Sequence, residues 1–151
     1  MFIFVSTNVV LTSMNNKKLI ITLIKSYCEI NDKLMLALKP FGVSIQQFNV
    51  LRILRGQKGV AANLSTVQQN MINKMSNTTR LIDKLIEKSF VKRTICKENR
   101  RKIELFITTE GLSFLNQLDP IIDQAEDEMV GHFKEDEKEE FVSLLKRLKF
   151  N

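Results

Sequence analysis

The pattern from which the rest of the chain is interpreted lies in residues 64–111, LSTVQQNMINKMSNTTRLIDKLIEKSFVKRTICKENRRKIELFITTEG. Ser65 followed by Gln68 is a capping-box pattern, which predicts the start of a short helix. Val67 and Met71 are spaced to form its buried side. A polar turn and a longer amphipathic segment follow, so the stretch predicts two helices joined by a turn.

The second of these helices is predicted over residues 75–88, with Asn73 as its N-cap. Its inward side combines apolar and small residues at helical spacing: Thr78, Leu81, Ile82 and Leu85. Its outward side is polar and basic: Ser76, Asn77, Arg80, Lys84 and Glu87. Such a face suits a polyanion, although a solvated surface is the plain alternative.

Two β-rich segments, residues 90–96 and 102–107, flank KENRR, in which Asn99 suits a turn. They predict a two-stranded hairpin with a basic tip. Residues 74–102 carry a net charge of +7 and residues 119–140 a net charge of −8, in a chain whose total is +6. This uneven distribution favours nucleic acid or an acidic membrane surface as the partner.

Long amphipathic helices are predicted on both sides of this stretch. The first covers residues 17–39, and Ser44 with Gln47 opens another helix through about Arg55. Towards the C-terminus, Thr108 or Thr109 caps a helix that contains Pro120, whose ring predicts a kink near Asn116. A last helix follows from about residue 135 to residue 149.

Composition argues against catalytic and metal chemistry. The chain has 151 residues, of which 44% are apolar, so one domain can bury a core without a disulfide or a metal. Two distant cysteines and one histidine form no zinc or nucleophile pattern, and five glycines form no phosphate-binding loop. We therefore expect no catalytic residue, no metal, no cofactor and no enzymatic activity.

Residues 1–13 are apolar but lack the basic start of a signal peptide and are too short to cross a bilayer. We interpret them as an N-terminal appendage to a single domain, residues 14–151. The expected location is the cytoplasm, with no membrane partner.

The order helix, helix, helix, hairpin is that of a helix-turn-helix followed by a wing. The predicted fold class is mainly α with a small β-hairpin wing. A winged helix-turn-helix lobe, residues 44–108, is flanked by long N- and C-terminal dimerisation helices, residues 17–39 and 109–149. In such a lobe the helix at 75–88 enters the major groove of duplex DNA and the hairpin reaches the minor groove.

Three segments resemble the multiple-antibiotic-resistance regulator (MarR) family: SIQQFNVLRIL (44–54), residues 64–93 and ENRRKIELFITTEG (98–111). The family pattern DxRxxxLxLTxxG is met at Asn99, Arg101, Leu105, Ile107, Thr108 and Gly111. The pattern TRLxDxL is met at Thr79, Arg80, Leu81, Asp83 and Leu85. The resemblance covers residues 17–149.

This resemblance implies a homodimer in which the first helix and the last two helices of each chain intertwine. It further implies a transcription repressor on a palindromic operator, released by a small-molecule effector or an oxidant. The apolar stripes of the helices outside the lobe support a dimer independently, because they carry more apolar surface than a lobe of this size can bury. The alternative is that these helices pack only on their own chain.

The expected functional residues form two sets. Those for duplex DNA are Ser76, Asn77, Thr79, Arg80, Lys84, Lys97, Arg100 and Arg101. Those for the dimer interface are Leu19, Leu23, Ile30, Leu118, Ile122, Phe141 and Leu145.

Two positions depart from the family pattern, and one cysteine invites comparison with it. Asn99 replaces the usual aspartate of the wing, which weakens a bond to Arg101. Ser89 replaces the usual glycine after the reading helix, where a left-handed C-cap is common. Some members sense oxidants through a cysteine in the first helix, but Cys28 lies on an apolar stripe, which favours inert packing.

A different class of function uses the same fold. A winged helix can serve as a protein-interaction module whose basic face meets an acidic protein rather than phosphate. Retention on random duplex DNA that weakens with salt distinguishes the two.

Overall fold

The computed structural model describes residues 15–96, 99 and 102–150. In that part of the chain the helices are α1 (Asn16–Leu38), α2 (Ile45–Gly56), α3 (Leu64–Asn70), α4 (Thr78–Glu87), α5 (Thr109–Val130) and α6 (Glu135–Lys146). Strands β1 (Val91–Ile95) and β2 (Ile103–Ile107) lie between α4 and α5. The chain divides into two units, residues 1–32 and 33–151, with the boundary inside α1. The mainly helical fold with a two-stranded hairpin confirms the predicted fold class.

Helix α2 begins where the sequence predicts it. The amide of Gln47 donates to Ser44 Oγ at 3.2 Å, and the amide of Ser44 donates to Gln47 Oε1 at 3.0 Å, which completes a capping box. Its apolar residues at helical spacing, Phe48, Leu51 and Leu54, are buried.

Two predicted helix starts were wrong. Helix α3 begins at Leu64, because Asn63 Oδ1 accepts the amide of Thr66 at 2.8 Å, and Ser65 instead accepts from Gln69 Nε2 at 3.2 Å. Helix α4 begins at Thr78 rather than near Met75. Its N-cap is Asn77, whose Oδ1 accepts the amide of Arg80 at 3.1 Å.

The hairpin is antiparallel, with Val91 opposite Ile107 and Ile95 opposite Ile103. Ala62, just before α3, adds a bridge to its inner edge: the two amides of Ala62 and Leu105 donate to each other's carbonyl oxygens at 3.0 and 2.7 Å. Both side chains are buried. The hairpin is thereby fastened to the start of the helix-turn-helix.

The core lies among α2, α3, α4, the hairpin and the first half of α5. Its fully buried side chains include Leu51, Val67, Ile82, Leu85, Leu105 and Leu115. Leu118 and Ile122, two of the expected dimer residues, belong to this same core at 0% and 4% exposure. Their own chain already buries them, so they have almost no exposed surface left for contact with a second copy. The structure does not support these two positions as interface residues.

Helix α5 runs continuously through Pro120, and its N-cap is Thr108, whose Oγ1 accepts the amide of Gly111 at 2.9 Å. Arg55 of α2 forms an ion pair with Asp119 of α5, and its Nη2 lies 3.3 Å from Asp119 Oδ1. Lys33 Nζ lies 2.8 Å from a carboxylate oxygen of Glu128, and this hydrogen bond lowers the pKa of Glu128. These contacts tie α5 to α2 and to the C-terminal part of α1.

Most of the large apolar side chains that remain exposed on helices lie on α1 and α6. On α1 they include Leu19, Ile20, Ile21, Ile24, Tyr27 and Ile30, and on α6 they are Phe141, Val142, Leu144 and Leu145. No residue of α6 is buried. Cys28 is also exposed, so the expectation that it is inert through burial is not met within this chain. In the described residues no helix combines the length and the apolarity needed to cross a membrane.

Gly111 packs directly against the backbone of Phe90, and we expect Gly111→Ala to destabilise the fold. An added Cβ would lie 2.2 Å from the carbonyl oxygen of Phe90, which is backbone and cannot step aside. Overpacking of this kind costs about 1–3 kcal/mol. Gly56→Ala, where nothing lies within 4 Å, is the matched control. Urea unfolding that gives equal midpoints for the two variants would contradict the packing.

The cap of α4 provides a second prediction. Asn77→Ala removes the acceptor for the amide of Arg80, and the free energy of unfolding should fall by about 1 kcal/mol. Asn77→Ser retains an acceptor at the same position and should lose only a small part of that stability. Thermal and urea unfolding measure both variants, and equal losses would show that Asn77 does not cap the helix.

Candidate nucleic-acid interface

Helix α4 has two chemically different faces. Thr78, Ile82 and Leu85 are buried in the core. Thr79, Arg80 and Lys84 lie on the opposite face and are exposed. Because the apolar face must stay in the core, the helix can present only its polar, basic face to another molecule.

Four of the expected DNA-binding residues of this region, Ser76, Asn77, Arg80 and Lys84, lie together, and Thr79 is exposed outside this group. An open hollow of about 390 Å³ runs along the outer side of α4 and is lined by Gln46, Ser76, Asn77, Arg80, Leu81 and Lys84. Gln46 comes from the first turn of α2 and was missed by sequence reasoning. The sequence does indicate that Gln46 faces outwards, because it lies in the first turn after the capping residue Ser44 and Gln47 takes the inward position.

The carboxylate of Asp83 holds the hairpin to α4. Arg93 Nη2, on β1, donates to Asp83 Oδ1 at 2.6 Å, with both side chains partly exposed. An exposed pair of this kind contributes about 0–1 kcal/mol to stability, so its main effect is on relative orientation. The aspartate of the TRLxDxL pattern therefore connects the helix face to the wing.

Helix α4 ends in a left-handed C-cap although serine replaces the usual glycine there. Ser89 has φ of +63°, and the amide of Phe90 donates to the carbonyl of Leu85 at 2.9 Å. This is a Schellman-type end built without the usual glycine. Thr108 Oγ1 donates to the carbonyl of Ser89 at 2.7 Å and stabilises the same corner.

The hairpin tip is described only in part. The carbonyl of Asn99 accepts the amide of Lys102 at 2.8 Å, as expected for a turn at this asparagine. Lys97, Arg100 and Arg101, three of the expected DNA-binding residues, lie outside the described residues, and their role stays a prediction.

The turn between α3 and α4 also contributes residues that sequence reasoning missed. Ile72 and Met75 are exposed there, beside the start of α4. The amide of Ile72 donates to Asn49 Oδ1 at 3.0 Å, and the amide of Met75 donates to Asn73 Oδ1 at 2.9 Å. Asn73 thus shapes the turn and does not cap the helix.

Comparison with known proteins agrees with this architecture. The family model described as the MarR family matches residues 43–103. The HTH-type transcriptional regulator MhqR of Bacillus subtilis is 30% identical over 134 residues, which cover 89% of this chain and 91% of MhqR.

Two solved structures share the fold. A MarR-like transcription regulator of Bacillus cereus has a TM-score of 0.77 at 24% identity, with coverage of 89% of this chain and 95% of that one. BpsR of Bordetella bronchiseptica, whose DNA binding is regulated by 6-hydroxynicotinic acid, has a TM-score of 0.74 at 20% identity, with coverage of 86% and 97%. With the match to MhqR over nearly the full length of both chains, the winged helix described above belongs to a transcriptional regulator of the MarR family.

Proposed function

We propose that this regulator binds duplex DNA sequence-specifically as a homodimer on a palindromic operator, acts as a repressor, and is released by a small ligand. The observation that carries the proposal is the division of α4 into a buried face, with Ile82 and Leu85, and an exposed face, with Arg80 and Lys84. A helix held in this way fits the major groove with its polar side towards the bases.

The exposed side chains Thr79, Arg80 and Lys84 of α4, and the side chains of Ser76 and Asn77 just before it, have a chemistry suited to DNA. Arg80 can donate two hydrogen bonds to the N7 and O6 atoms of a guanine, and Lys84, one turn later, suits a phosphate. Asn77 uses its oxygen for the cap, which leaves its amide nitrogen to donate. The hydroxyls of Ser76 and Thr79 suit either phosphates or base edges.

Charge supports the same orientation. The net +7 of residues 74–102 surrounds α4 and the hairpin, whereas the net −8 of residues 119–140 lies on α5 and α6. Phosphates attract the first region and repel the second, so the molecule would approach DNA with α4 and the wing in front. Arg100 and Arg101 would then enter the adjacent minor groove, as the family resemblance implies.

The dimer would cover the apolar faces that the chain leaves exposed. Helix α6 buries no residue and exposes Phe141 and Leu145, and α1 exposes Leu19 and Ile30. Apolar helix faces of this extent favour association with a second copy. A two-fold dimer would present two α4 helices to successive major grooves, about one helical turn of DNA apart.

Release by a small ligand is proposed from a relative, and repression is proposed from the family resemblance. BpsR, which shares the fold, has its DNA binding regulated by 6-hydroxynicotinic acid. A ligand that binds the free form of a DNA-binding protein more tightly than its DNA-bound form lowers its affinity for DNA. The cytoplasm, where such a protein meets the chromosome, is the proposed location.

The role of Arg80 is tested by binding to two duplexes. The preferred operator is first selected from a random duplex pool, and Arg80→Ala is then measured on that operator and on a scrambled duplex. If Arg80 contacts a base edge, the variant should lose about 1–3 kcal/mol of binding free energy on the operator and much less on the scrambled duplex.

Arg147→Ala, which removes an arginine at the end of α6, is the matched control and should bind both duplexes like the wild type. Equal losses of binding free energy for Arg80→Ala on the two duplexes would show that Arg80 contacts a phosphate and not a base edge. A wild-type protein that selects no sequence, and whose retention on DNA does not weaken with salt, would favour the protein-interaction function instead.

The dimer is tested by sedimentation. We expect the wild type to sediment at twice the 17.5 kDa mass of one chain at micromolar concentration. Leu145→Asp should shift it towards the monomer, because a buried, unpaired carboxylate is strongly unfavourable at an apolar interface. Val60→Asp places the same charge on an exposed apolar residue outside α1 and α6 and should leave the dimer intact. A monomeric wild type, or two variants of equal mass, would contradict the interface.

A further inference from the structure

The turn between α3 and α4 places three apolar residues in two different environments. Met71, the C-cap residue of α3, is 2% exposed, whereas Ile72 is 84% exposed and Met75 is 93% exposed. Met71 therefore holds the turn on the core, and the other two bury almost nothing in their own chain. Single exposed apolar residues are ordinary, so the position of these two on the fold matters.

The backbone that carries them is held by hydrogen bonds. The amide of Ile72 is bound by Asn49 Oδ1 of α2, and the amide of Met75 is bound by Asn73 Oδ1. The amide of Ser76 donates to the carbonyl of Asn73 at 3.2 Å. Because these bonds constrain the backbone at both positions, Ile72 and Met75 are presented to solvent by a defined turn rather than by a loose loop.

Met75 is a sequence neighbour of the proposed DNA-binding face. Met75 comes two residues before the N-cap Asn77 and is followed by Ser76, which lines the basic hollow along α4. Lys74, Arg80 and Lys84 supply cations on both sides of it in sequence. Side chains at the start of a reading helix are those that approach base edges, while cations around them approach phosphates.

The major groove offers one apolar group for such side chains, the C5-methyl of thymine. We propose that Ile72 and Met75 contact thymine methyl groups and thereby specify A·T pairs beside the bases read by Arg80. This inference rests on the proposed function, since it requires α4 to lie in the major groove. It adds a specificity determinant that the polar face of α4 alone does not provide.

The experiment removes the methyl group from the DNA and the apolar side chain from the protein separately. Starting from the operator selected from a random pool, each thymine is replaced in turn by deoxyuridine in both half-sites, which deletes only the methyl. In the wild type, at least one replacement should weaken binding about fourfold per half-site, as expected for one buried methyl group. The other replacements should leave affinity unchanged.

The protein variants are Met75→Gln and Ile72→Asn, which keep approximate size but replace apolar atoms with polar ones. Both positions are exposed, so folding should be unaffected, and unfolding midpoints check this. At the sensitive thymine, at least one variant should bind the thymine and deoxyuridine operators equally well. Val60→Thr, at an apolar residue 68% exposed in the turn before α3, should retain the wild-type difference.

Three results would overturn the inference. One is an operator on which no deoxyuridine replacement matters. Another is a methyl-dependent difference that survives in both Met75→Gln and Ile72→Asn. A third is failure of the wild type to select any sequence, which refutes the proposed function together with this inference, whereas the first two leave the proposed function standing.

Discussion

The burial of Ile82 and Leu85 in the core is the constraint on which the rest of this structure depends. Those two side chains, with Thr78, hold α4 in one orientation about its own axis. Arg80 and Lys84 therefore face outwards at a defined angle, beside residues of the preceding turn. A helix free to rotate would present no consistent surface, so the same packing that stabilises the fold also determines which side chains can read another molecule.

Contacts at both ends of α4 maintain this orientation. Asn77 caps its start, and Asn49 binds the turn before it. At the other end, the Asp83–Arg93 ion pair and the left-handed Ser89 set the direction of the hairpin. Preorganisation of this kind lowers the entropic cost of binding, because the helix, the turn and the start of the wing are already arranged.

Much of this architecture was predictable from sequence, and the exceptions share a physical cause. The capping box at Ser44, the inward residues of α4 and the hairpin follow from local patterns. The start of α4 does not, because Asn73 and Asn77 are equally good caps by chemistry and the choice depends on a turn that Asn49, 23 residues from Ile72, helps to hold. Likewise, an apolar stripe predicts that Leu118 and Leu145 are buried but does not predict which surface buries them. Leu118 is buried by its own chain, and Leu145 is not.

The central claim is that the outward face of α4 and the turn before it meet DNA. Backbone amide chemical shifts, followed as duplex operator is added to the isotope-labelled protein, test this claim most directly. We expect the largest changes at residues 72–84, with smaller changes on the hairpin and little change on the outer face of α6. Changes concentrated on residues 133–145, with residues 72–84 unaffected, would contradict it.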